Sequence, residues 1–350
     1  MKKQDNTHAT SLSTSATRRT VLKAAAAGLA GLSIPSVLLA QTGTKIQIGY
    51  WPVASGLPFF AAVDKGYFKE AGLIVEAVKF ASPQQVAEAM LAGRLSGSSN
   101  GTASAALGIA ELAQPNLLKI ICTNPTNAKY VLDEFIVAKD SPLKSISELS
   151  GKKIGCGPGI QNVTLTKTVL ERAKAVNTTV IELPIAQHVA AIAANQIDAC
   201  YTLEPTGTVG RLKGITRNLE VGVIARYVLG DEMAPWHGGS ASLTTEFIQK
   251  NPELTKRYIA AYKRGVDLVK TAPAEARPSL KGYTAIEGDL TNEVPMSDYL
   301  MATDFTANPI TVEQNATVEQ ARAQLRMLER SYFPKFSLQA AAYARGTGAE

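Results

Sequence analysis

The segment Gly97-Ser98-Ser99-Asn100-Gly101 matches G-x-S-x-G, the spacing that places the nucleophilic serine of an α/β hydrolase on a tight turn. In this pattern Ser99 is the candidate nucleophile, and it needs an acid and then a histidine farther along the chain. Two histidines, His188 and His237, follow the segment. Because His188 lies within an apolar helical pattern, the required order leaves His237 as the candidate base, with an acidic residue before it.

Other parts of a hydrolase site do not appear in the sequence. An HGGG-type segment that would help to bind the oxyanion is missing, because there is no histidine between residues 9 and 187. Small residues at a strand end also let the backbone approach a bound ligand closely. We therefore interpret the segment as part of a binding site, and a serine hydrolase that uses Ser99 is the alternative of another class.

Motifs for other chemistry are also missing. The sequence has no GxxxxGK[ST] phosphate loop, and the stretch GCGPGIQN (155–162) lacks the spacing of a dinucleotide fingerprint. Two scattered histidines without a carboxylate cluster predict no metal site. The three cysteines, Cys122, Cys156 and Cys200, form no CxxC pair, so we expect buried free thiols, with one disulfide as the alternative in an oxidising compartment. The sequence therefore predicts a protein without a cofactor that is not an enzyme.

Residues 1–40 are predicted to be an export signal that is removed. The paired Arg18 and Arg19 precede the Ala/Gly-rich apolar stretch AAAAGLAGLSIPSVLLA, which is typical of twin-arginine export. This stretch is short for a membrane span, although a retained amphipathic anchor is an alternative. No cysteine lies near the cleavage point after Ala40, so no lipid anchor is expected. We predict a soluble protein in the periplasm.

The positive charge of the whole chain lies mostly in this signal. The formal net charge is +6, and the signal contributes five basic residues against one acidic residue. Its removal leaves about +2 by the same count. Since no stripe of Lys and Arg remains, nucleic-acid binding is not expected.

Beyond the signal, strands alternate with helices in an order that predicts an α/β fold with mainly parallel sheets flanked by helices. KIQIGY, LIVEAVKF and RLSGSS are predicted strands, and PFFAAVDKG and PQQVAEAMLAG are predicted helices. The pattern recurs in the chain. Ile48-Gly49-x-x-Pro52 is echoed by Ile154-Gly155-x-x-Pro158, and QQVAEAMLAGRL is echoed by AQHVAAIAANQI, which starts at Ala186. The repeat predicts two similar lobes.

The last hundred residues are predicted to be helical and to pack on the first lobe. Asn251-Pro252-Glu253 is a helix-start signal, with Asn251 as the N-cap, and residues 317–330 form a second amphipathic pattern. Lobe 1 would then comprise residues 44–134 and 240–345, and lobe 2 residues 135–239. A chain that crosses twice between lobes predicts a hinge.

An ordered set of motifs resembles a known family, the nitrate/sulfonate/taurine-type (alkanesulfonate-binding-like) periplasmic substrate-binding proteins of ABC transporters. The resemblance covers nearly the whole chain after the signal. The motifs are Ile48-Gly49-Tyr50-Trp51, Leu57-Pro58-Phe59, Ala62, Gly66-Tyr67-Phe68, Gly72-Leu73-Ile74-Val75, Leu91-Ala92-Gly93, S-x-G-x-x-x-A at 99–105, Asp140-Ser141-Pro142, Ser147-Glu148-Leu149-x-Gly151-Lys152-Lys153-Ile154-Gly155, Ile197-Asp198-Ala199 and Asn251-Pro252-Glu253-Leu254.

This resemblance implies a two-lobed type II periplasmic binding protein fold that closes around a small solute. It also implies delivery of the solute to an ABC permease with its cytoplasmic ATPase, by a protein that we expect to be a monomer. One departure is Leu95-Ser96-Gly97, where the family often has Asp-Val/Ala-Gly, whereas the equivalent Ile197-Asp198-Ala199 in the second lobe keeps the acid. Some relatives are pyrimidine-synthesising enzymes, but they need a cysteine cluster that this chain lacks.

In open α/β sheets, ligands bind beyond the carboxyl ends of strands, where loops lead into helix N-termini. Those N-termini present unpaired N–H groups that suit carboxylate or sulfonate. The predicted ligand-binding residues are Trp51, Ser55, Gly56, Leu57, Ser99, Asn100, Gly101, Thr102, Asn124, Gln161, Asn162, Glu204, Trp236 and His237.

The ligand class stays open between two alternatives. The predicted loops contain no arginine, and Lys129 is the only cation near them, so a bare oxyanion such as nitrate is disfavoured. An organic anion with an apolar or aromatic body, a sulfonate or carboxylate, is the first choice. A neutral or amino-bearing heterocycle, such as a pyrimidine precursor, is the alternative.

Overall fold

The structure, a computed structural model, describes residues 44–101 and 113–301. The predicted export signal, Thr102 and the predicted helix at 317–330 lie outside the described residues. The strands are β1 (Lys45–Tyr50), β2 (Ile74–Lys79), β3 (Gly97–Ser98), β4 (Leu118–Thr123), β5 (Asp133–Ala138), β6 (Lys153–Cys156), β7 (Thr179–Glu182), β8 (Ala199–Leu203), β9 (Thr216–Val221), β10 (Ala241–Thr244) and β11 (Leu300–Met301).

Helices connect these strands and flank them. The α-helices are α1 (Leu57–Asp64), α2 (Tyr67–Glu70), α3 (Pro83–Leu91), α4 (Ile160–Arg172), α5 (His188–Ala193), α6 (Thr206–Leu212), α7 (Thr245–Lys250), α8 (Pro252–Thr271) and α9 (Pro273–Ala276). Short 3₁₀ segments cover Ala54–Gly56, Ile146–Leu149, Ile185–Gln187, Arg277–Leu280 and Gly288–Glu293, and a π-helical turn covers Ile224–Leu229. Within the described ranges, no helix has the length and apolar character that a membrane crossing requires.

The strands form two sheets, in the orders β11-β4-β10-β3-β1-β2 and β7-β6-β8-β5-β9. The predicted two-sheet α/β fold is therefore confirmed, but each sheet is mixed rather than mainly parallel. Strand β1 runs parallel to β2 and β3, and β6 runs parallel to β7 and β8. Strand β10 runs antiparallel to β3 and β4, β11 runs antiparallel to β4, and β5 runs antiparallel to β8 and β9.

The antiparallel strands β5 and β10 have a common physical origin. Each is the first strand after the chain passes from one sheet to the other, between β4 and β5 and again between β9 and β10. The chain enters the new sheet at the edge where the parallel strands end, and a parallel partner would need a long return connection. Both strands therefore begin where their neighbours end.

The internal repeat is visible in the two sheets. The order β2-β1-β3 corresponds to β7-β6-β8, with the repeated glycines on the central strands. A Cβ on Gly49 would lie 2.7 Å from Leu95 Cδ1, and a Cβ on Gly155 would lie 2.6 Å from Ile197 Cδ1. Leu95 and Ile197 are also equivalent in the repeat. In each lobe an equivalent glycine on the central strand therefore leaves room for an equivalent apolar side chain.

The helix starts follow local chemistry, with one difference from expectation. Helix α3 begins after Ser82, whose hydroxyl accepts a hydrogen bond from the Gln85 N–H at 3.3 Å. Asn251 precedes α8 as predicted, but its side chain does not cap the helix. Instead, its Nδ2 donates to the Phe247 carbonyl at 3.3 Å, because the short helix α7 ends immediately before α8.

Helix α8 packs on the helices of the first sheet, as predicted from its apolar spacing. Tyr258 of α8 stacks on Phe68 with ring centroids 4.9 Å apart, and Gly265 lies against the backbone of Pro58.

The two segments that pass between the sheets are hydrogen-bonded to each other. The N–H of Thr126 donates to the carbonyl of Trp236 at 2.8 Å, and the reverse bond has the same length. The residue boundaries of the lobes remain a prediction.

The cysteines are buried free thiols, as expected. Cys156 and Cys200 lie on the neighbouring strands β6 and β8 and are not in register, since Gly155 pairs with Cys200. Burial raises the pKa of the Cys156 thiol to about 11.

Candidate ligand-binding site

A small pocket lies between loops that follow or precede strands of both sheets. Its volume is ≈ 20 Å³, close to the space that one water molecule needs, so a larger solute requires the walls to move apart. The residues that line it are Trp51, Ser55, Leu132, Asp133, Gln161, Asn162, Leu165, Tyr201, Leu203, Trp236, Gly238 and Gly239. Three aromatic residues and three leucines thus surround a few polar groups, which is the usual composition of a small-molecule site.

Two larger cavities, ≈ 300 Å³ and ≈ 220 Å³, lie elsewhere. Leu95 lines the first cavity, and its equivalent in the repeat, Ile197, lines the second, so the two cavities occupy equivalent places in the two lobes. Both lie at the amino ends of the central strands β1 and β6. Since ligands of open α/β sheets bind at the carboxyl ends, the smaller pocket is the better candidate.

Four polar atoms of the pocket have no hydrogen-bond partner among the described residues. They are Nε1 of Trp51, Oγ of Ser55, Oδ1 of Asp133 and Oε1 of Gln161, and all four are buried. Buried polar groups are nearly always paired, because an unpaired one costs about 1–3 kcal/mol. Residues of both sheets that carry unpaired donors or acceptors line one pocket, which indicates a binding site for a polar ligand.

The G-x-S-x-G segment supports Trp51 from behind. The side chain of Asn100 accepts the Trp51 N–H through Oδ1 at 3.1 Å, and its Nδ2 donates to the Trp51 carbonyl at 3.1 Å. Gly101 has a left-handed backbone, with φ of 78°, and a Cβ there would lie 2.8 Å from Trp51 Nε1. Gly56 similarly leaves room for the Phe60 ring and the Asn100 amide. Asn100, Gly101 and Gly56 therefore position the Trp51 loop rather than line the pocket.

Ser99 is buried and does not line the pocket. Its N–H donates to the Gly49 carbonyl at 2.9 Å, and its hydroxyl has no hydrogen-bond partner among the described residues. His237 is buried as well, and burial lowers the pKa of its imidazole to about 3. His188 lies in the core, where Nδ1 contacts Thr202 Oγ1 at 2.9 Å and Nε2 contacts the Leu183 carbonyl at 3.0 Å. Among the described residues, no hydrogen bond therefore joins the Ser99 hydroxyl to a histidine that could act as its base.

Asn124 lies beside the pocket without lining it. Its Nδ2 donates to the Asp298 carbonyl at 2.8 Å, and its Oδ1 has no hydrogen-bond partner among the described residues. A Cβ on Gly239 would lie 2.5 Å from this Oδ1 and 2.8 Å from Ser55 Cβ. Only a residue without a side chain fits at position 239, so the loop before β10 can approach Ser55.

Gln161 and Asn162 lie in the first turn of α4, as predicted from the strand-end position. Asn162 Nδ2 donates to the Pro158 carbonyl at 2.9 Å, which closes the helix start. Gln161 Oε1 remains without a partner among the described residues.

Leu57 is buried at the first position of α1 and does not line the pocket. Lys129 lies over the Tyr130 ring, with its Nζ 5.1 Å from the ring centroid, and does not line the pocket either.

Glu204 is buried beneath the pocket rather than in its wall. Its Oε2 accepts the Thr208 N–H at 3.2 Å, and its main-chain carbonyl accepts the Ala54 N–H at 2.7 Å. That second bond links the loop after β8 to the loop after β1, and thus the two sheets. Burial raises the pKa of Glu204, and burial together with the Glu204 charge raises the pKa of Glu134.

Asp133 is the one carboxylic acid among the described residues that line the pocket, and the sequence-based prediction does not include it. It is 2 % exposed and opens the antiparallel strand β5. Its Oδ2 accepts the Ile224 N–H at 2.9 Å, and burial raises the pKa of its carboxyl to about 6. Asp133 lies at the amino end of the antiparallel strand β5, so the rule that ligands bind at the carboxyl ends of parallel strands does not predict it. The available signal was a pair of acids, Asp133 and Glu134, at the start of an otherwise apolar strand.

Comparison with known proteins places this geometry in context. A family model described as "NMT1/THI5 like" matches residues 54–276. A protein of Brucella abortus (strain 2308) whose name calls it a binding protein is 27 % identical over 263 residues, which cover 74 % of this chain and 76 % of the relative.

A second relative is a named enzyme. The 4-amino-5-hydroxymethyl-2-methylpyrimidine phosphate synthase THI11 of Saccharomyces cerevisiae is 24 % identical over 267 residues, which cover 72 % of this chain and 73 % of the synthase.

Among solved structures, the alkanesulfonate-binding protein SsuA from Xanthomonas axonopodis pv. citri, bound to MOPS, has a TM-score of 0.62 at 22 % identity. The similarity covers 86 % of this chain and 98 % of SsuA. It supports the fold of the periplasmic binding proteins.

Proposed function

Because the chain belongs to the NMT1/THI5-like family and has the periplasmic binding protein fold, we propose that it binds a small organic solute and delivers it to an ABC importer. The solute lies between the loops of the two sheets, in contact with Trp51 and Trp236. Closure of the lobes around it presents a complex that the permease recognises, and the cytoplasmic ATPase drives uptake.

One observation carries this proposal: residues of both sheets whose buried polar atoms have no hydrogen-bond partner among the described residues line one pocket together with aromatic side chains. Trp51 and Ser55 come from the loop after β1, and Gln161 comes from the first turn of α4. A solute that bonds to both groups holds the lobes together. We propose that the lobes move about two main-chain contacts between them. These are the pairing of Thr126 with Trp236 and the hydrogen bond from the Ala54 N–H to the Glu204 carbonyl.

The proposed location is the periplasm, which agrees with the twin-arginine pattern of residues 18–19. The solute is either an organic anion or a neutral or amino-bearing heterocycle. SsuA, named as an alkanesulfonate-binding protein, exemplifies the first class, and the yeast synthases are named for a pyrimidine. Either class has an apolar body that can lie between the tryptophans.

We propose binding without catalysis. The yeast relatives are named as synthases, but the enzymes of the resembling family use a cysteine cluster, and the three cysteines of this chain are buried on separate strands. The serine-hydrolase alternative is not supported, because the Ser99 hydroxyl forms no hydrogen bond with a base within the described part of the chain.

The test is a thermal-shift screen of the purified protein with sulfonates, aromatic acids, amines and aminopyrimidines. A solute at one hundred times its Kd stabilises the protein by about 2.7 kcal/mol, or several degrees. Gln161→Ala should weaken the response, whereas Gln196→Ala, an exposed glutamine away from the pocket, should not. A screen in which no solute raises the melting temperature would count against the proposed function.

A further inference from the structure

Asp133 brings a carboxylate into the pocket without a counter-ion. Its side chain lines the pocket wall, its Oδ2 accepts the Ile224 N–H, and its Oδ1 has no hydrogen-bond partner among the described residues. Among the described residues that line the pocket there is no lysine or arginine, and Asp133 forms no ion pair within the described ranges. Its Oδ1 is therefore a buried acceptor that requires a donor.

The groups around Asp133 do not neutralise this charge. Tyr201 of β8 also lines the pocket, and burial raises the pKa of its phenol well above the usual value. Glu134, the next residue on β5, is buried, and its carboxyl has a strongly raised pKa that favours the protonated form. Ile224 contributes only its main-chain N–H, and the nearby main-chain N–H groups of Val223 and of Asp133 itself likewise carry no formal charge. Asp133 therefore sets the sign of the local potential.

The aromatic groups favour the same kind of solute. Trp51, Trp236 and Tyr201 line the pocket, and their ring faces attract cations, by about 0.5–2 kcal/mol in other proteins. An organic anion would instead meet a carboxylate in a desolvated space, where like charges repel strongly.

We propose that Asp133 is the specificity-determining residue of the pocket and selects solutes that present a positive charge or an N–H donor, such as amines, amidines or amino-substituted heterocycles, against sulfonates and carboxylates. This inference rests on the proposed function. It chooses the second of the two solute classes named above on the basis of charge and hydrogen-bond polarity.

The geometry of Asp133 supplies an isosteric test. In Asp133→Asn the single amide oxygen is needed by the Ile224 N–H, so the NH₂ group takes the place of Oδ1. The substitution thus changes an acceptor that faces the pocket into a donor, at constant size. Asp140→Asn is the matched control, because Asp140 is exposed just beyond the other end of β5.

The probes are four compounds of similar size: benzamidine, 4-aminopyridine, benzoate and benzenesulfonate. Calorimetric titration of the wild-type protein should show binding of one or both nitrogen compounds and weaker binding of the anions. Loss of a charge-assisted hydrogen bond should weaken nitrogen-compound binding by about tenfold or more in Asp133→Asn, and binding of the anions should be unchanged or stronger. Asp140→Asn should behave as the wild type.

The outcomes distinguish failure of the role proposed for Asp133 from failure of the proposed binding function. Binding of benzoate or benzenesulfonate but neither nitrogen compound would overturn the role of Asp133 and leave the binding function standing. Equal binding of a nitrogen compound by the wild type and Asp133→Asn would also overturn it. If none of the four probes binds and the wider solute screen is negative as well, the proposed function itself fails.

Discussion

The clamp between Asn100 and Trp51 makes a quantitative prediction for Asn100→Ala. The substitution removes two hydrogen bonds of 3.1 Å and leaves the N–H and the carbonyl of Trp51 without partners in a loop where Trp51 is only 4 % exposed. Each orphaned buried group costs about 1–3 kcal/mol, so we expect the free energy of unfolding to fall by about 2–6 kcal/mol. That is a large part of the roughly 5–15 kcal/mol that stabilises a typical domain.

Urea unfolding monitored by tryptophan fluorescence measures the loss, and titration with a solute from the screen measures its effect on binding. Asn100→Asp keeps the acceptor for the Trp51 N–H but replaces the donor to the Trp51 carbonyl by a buried carboxylate oxygen, so it should also destabilise the protein. Asn292→Ala, at an exposed asparagine, is the control and should change neither quantity. A loss below about 1 kcal/mol in Asn100→Ala, with solute affinity unchanged, would refute the view that this segment exists to hold Trp51.

Three further predictions address the repeat, the hydrolase alternative and pH. Gly155→Ala should destabilise the protein by about 1–3 kcal/mol through overpacking, as measured by urea unfolding. Adding Ile197→Val, which removes the Cδ1 that the new Cβ meets, should recover part of that loss. If the losses of the two substitutions simply add, the two side chains are not in contact. Ser99→Ala should leave hydrolysis of p-nitrophenyl acetate at the background rate of the wild type, whereas a wild-type rate that the substitution abolishes would reinstate the hydrolase. Benzamidine stays protonated between pH 5 and 8, so the pH dependence of its affinity reports on Asp133. The affinity should be highest above the Asp133 pKa of about 6 and should decrease below it, by up to about tenfold per pH unit. An affinity that rises on acidification would contradict the assignment.

Much of the fold could be predicted from local patterns. The strand KIQIGY and the helix from Pro83 appear where their apolar spacing and turn residues indicate, because these signals act between residues close in the chain. The repeat also survives folding. Gly49 and Gly155 are required because each central strand must admit an apolar side chain, Leu95 or Ile197, from the segment that follows the neighbouring helix.

The site could be predicted only in part. Trp51, Ser55, Gln161, Asn162 and Trp236 line the pocket as the strand-end rule indicates. Other predicted residues support the wall or lie behind it, because a loop near a ligand needs both contact residues and residues that hold its backbone. Sequence position does not distinguish these roles, since Asn100 and Ser55 are equally polar and equally close to a strand end.

The sequence by itself determined the class of fold, the repeat and the first loop of the pocket, because hydrophobic periodicity and glycine positions act locally. Tertiary structure alone decided the direction of β5 and β10, since strand direction follows from where the chain re-enters a sheet. That direction brings the amino end of β5, and with it Asp133, to the edge where the parallel strands end. The sign of the charge in the pocket therefore depends on topology, which no local pattern in the chain contains.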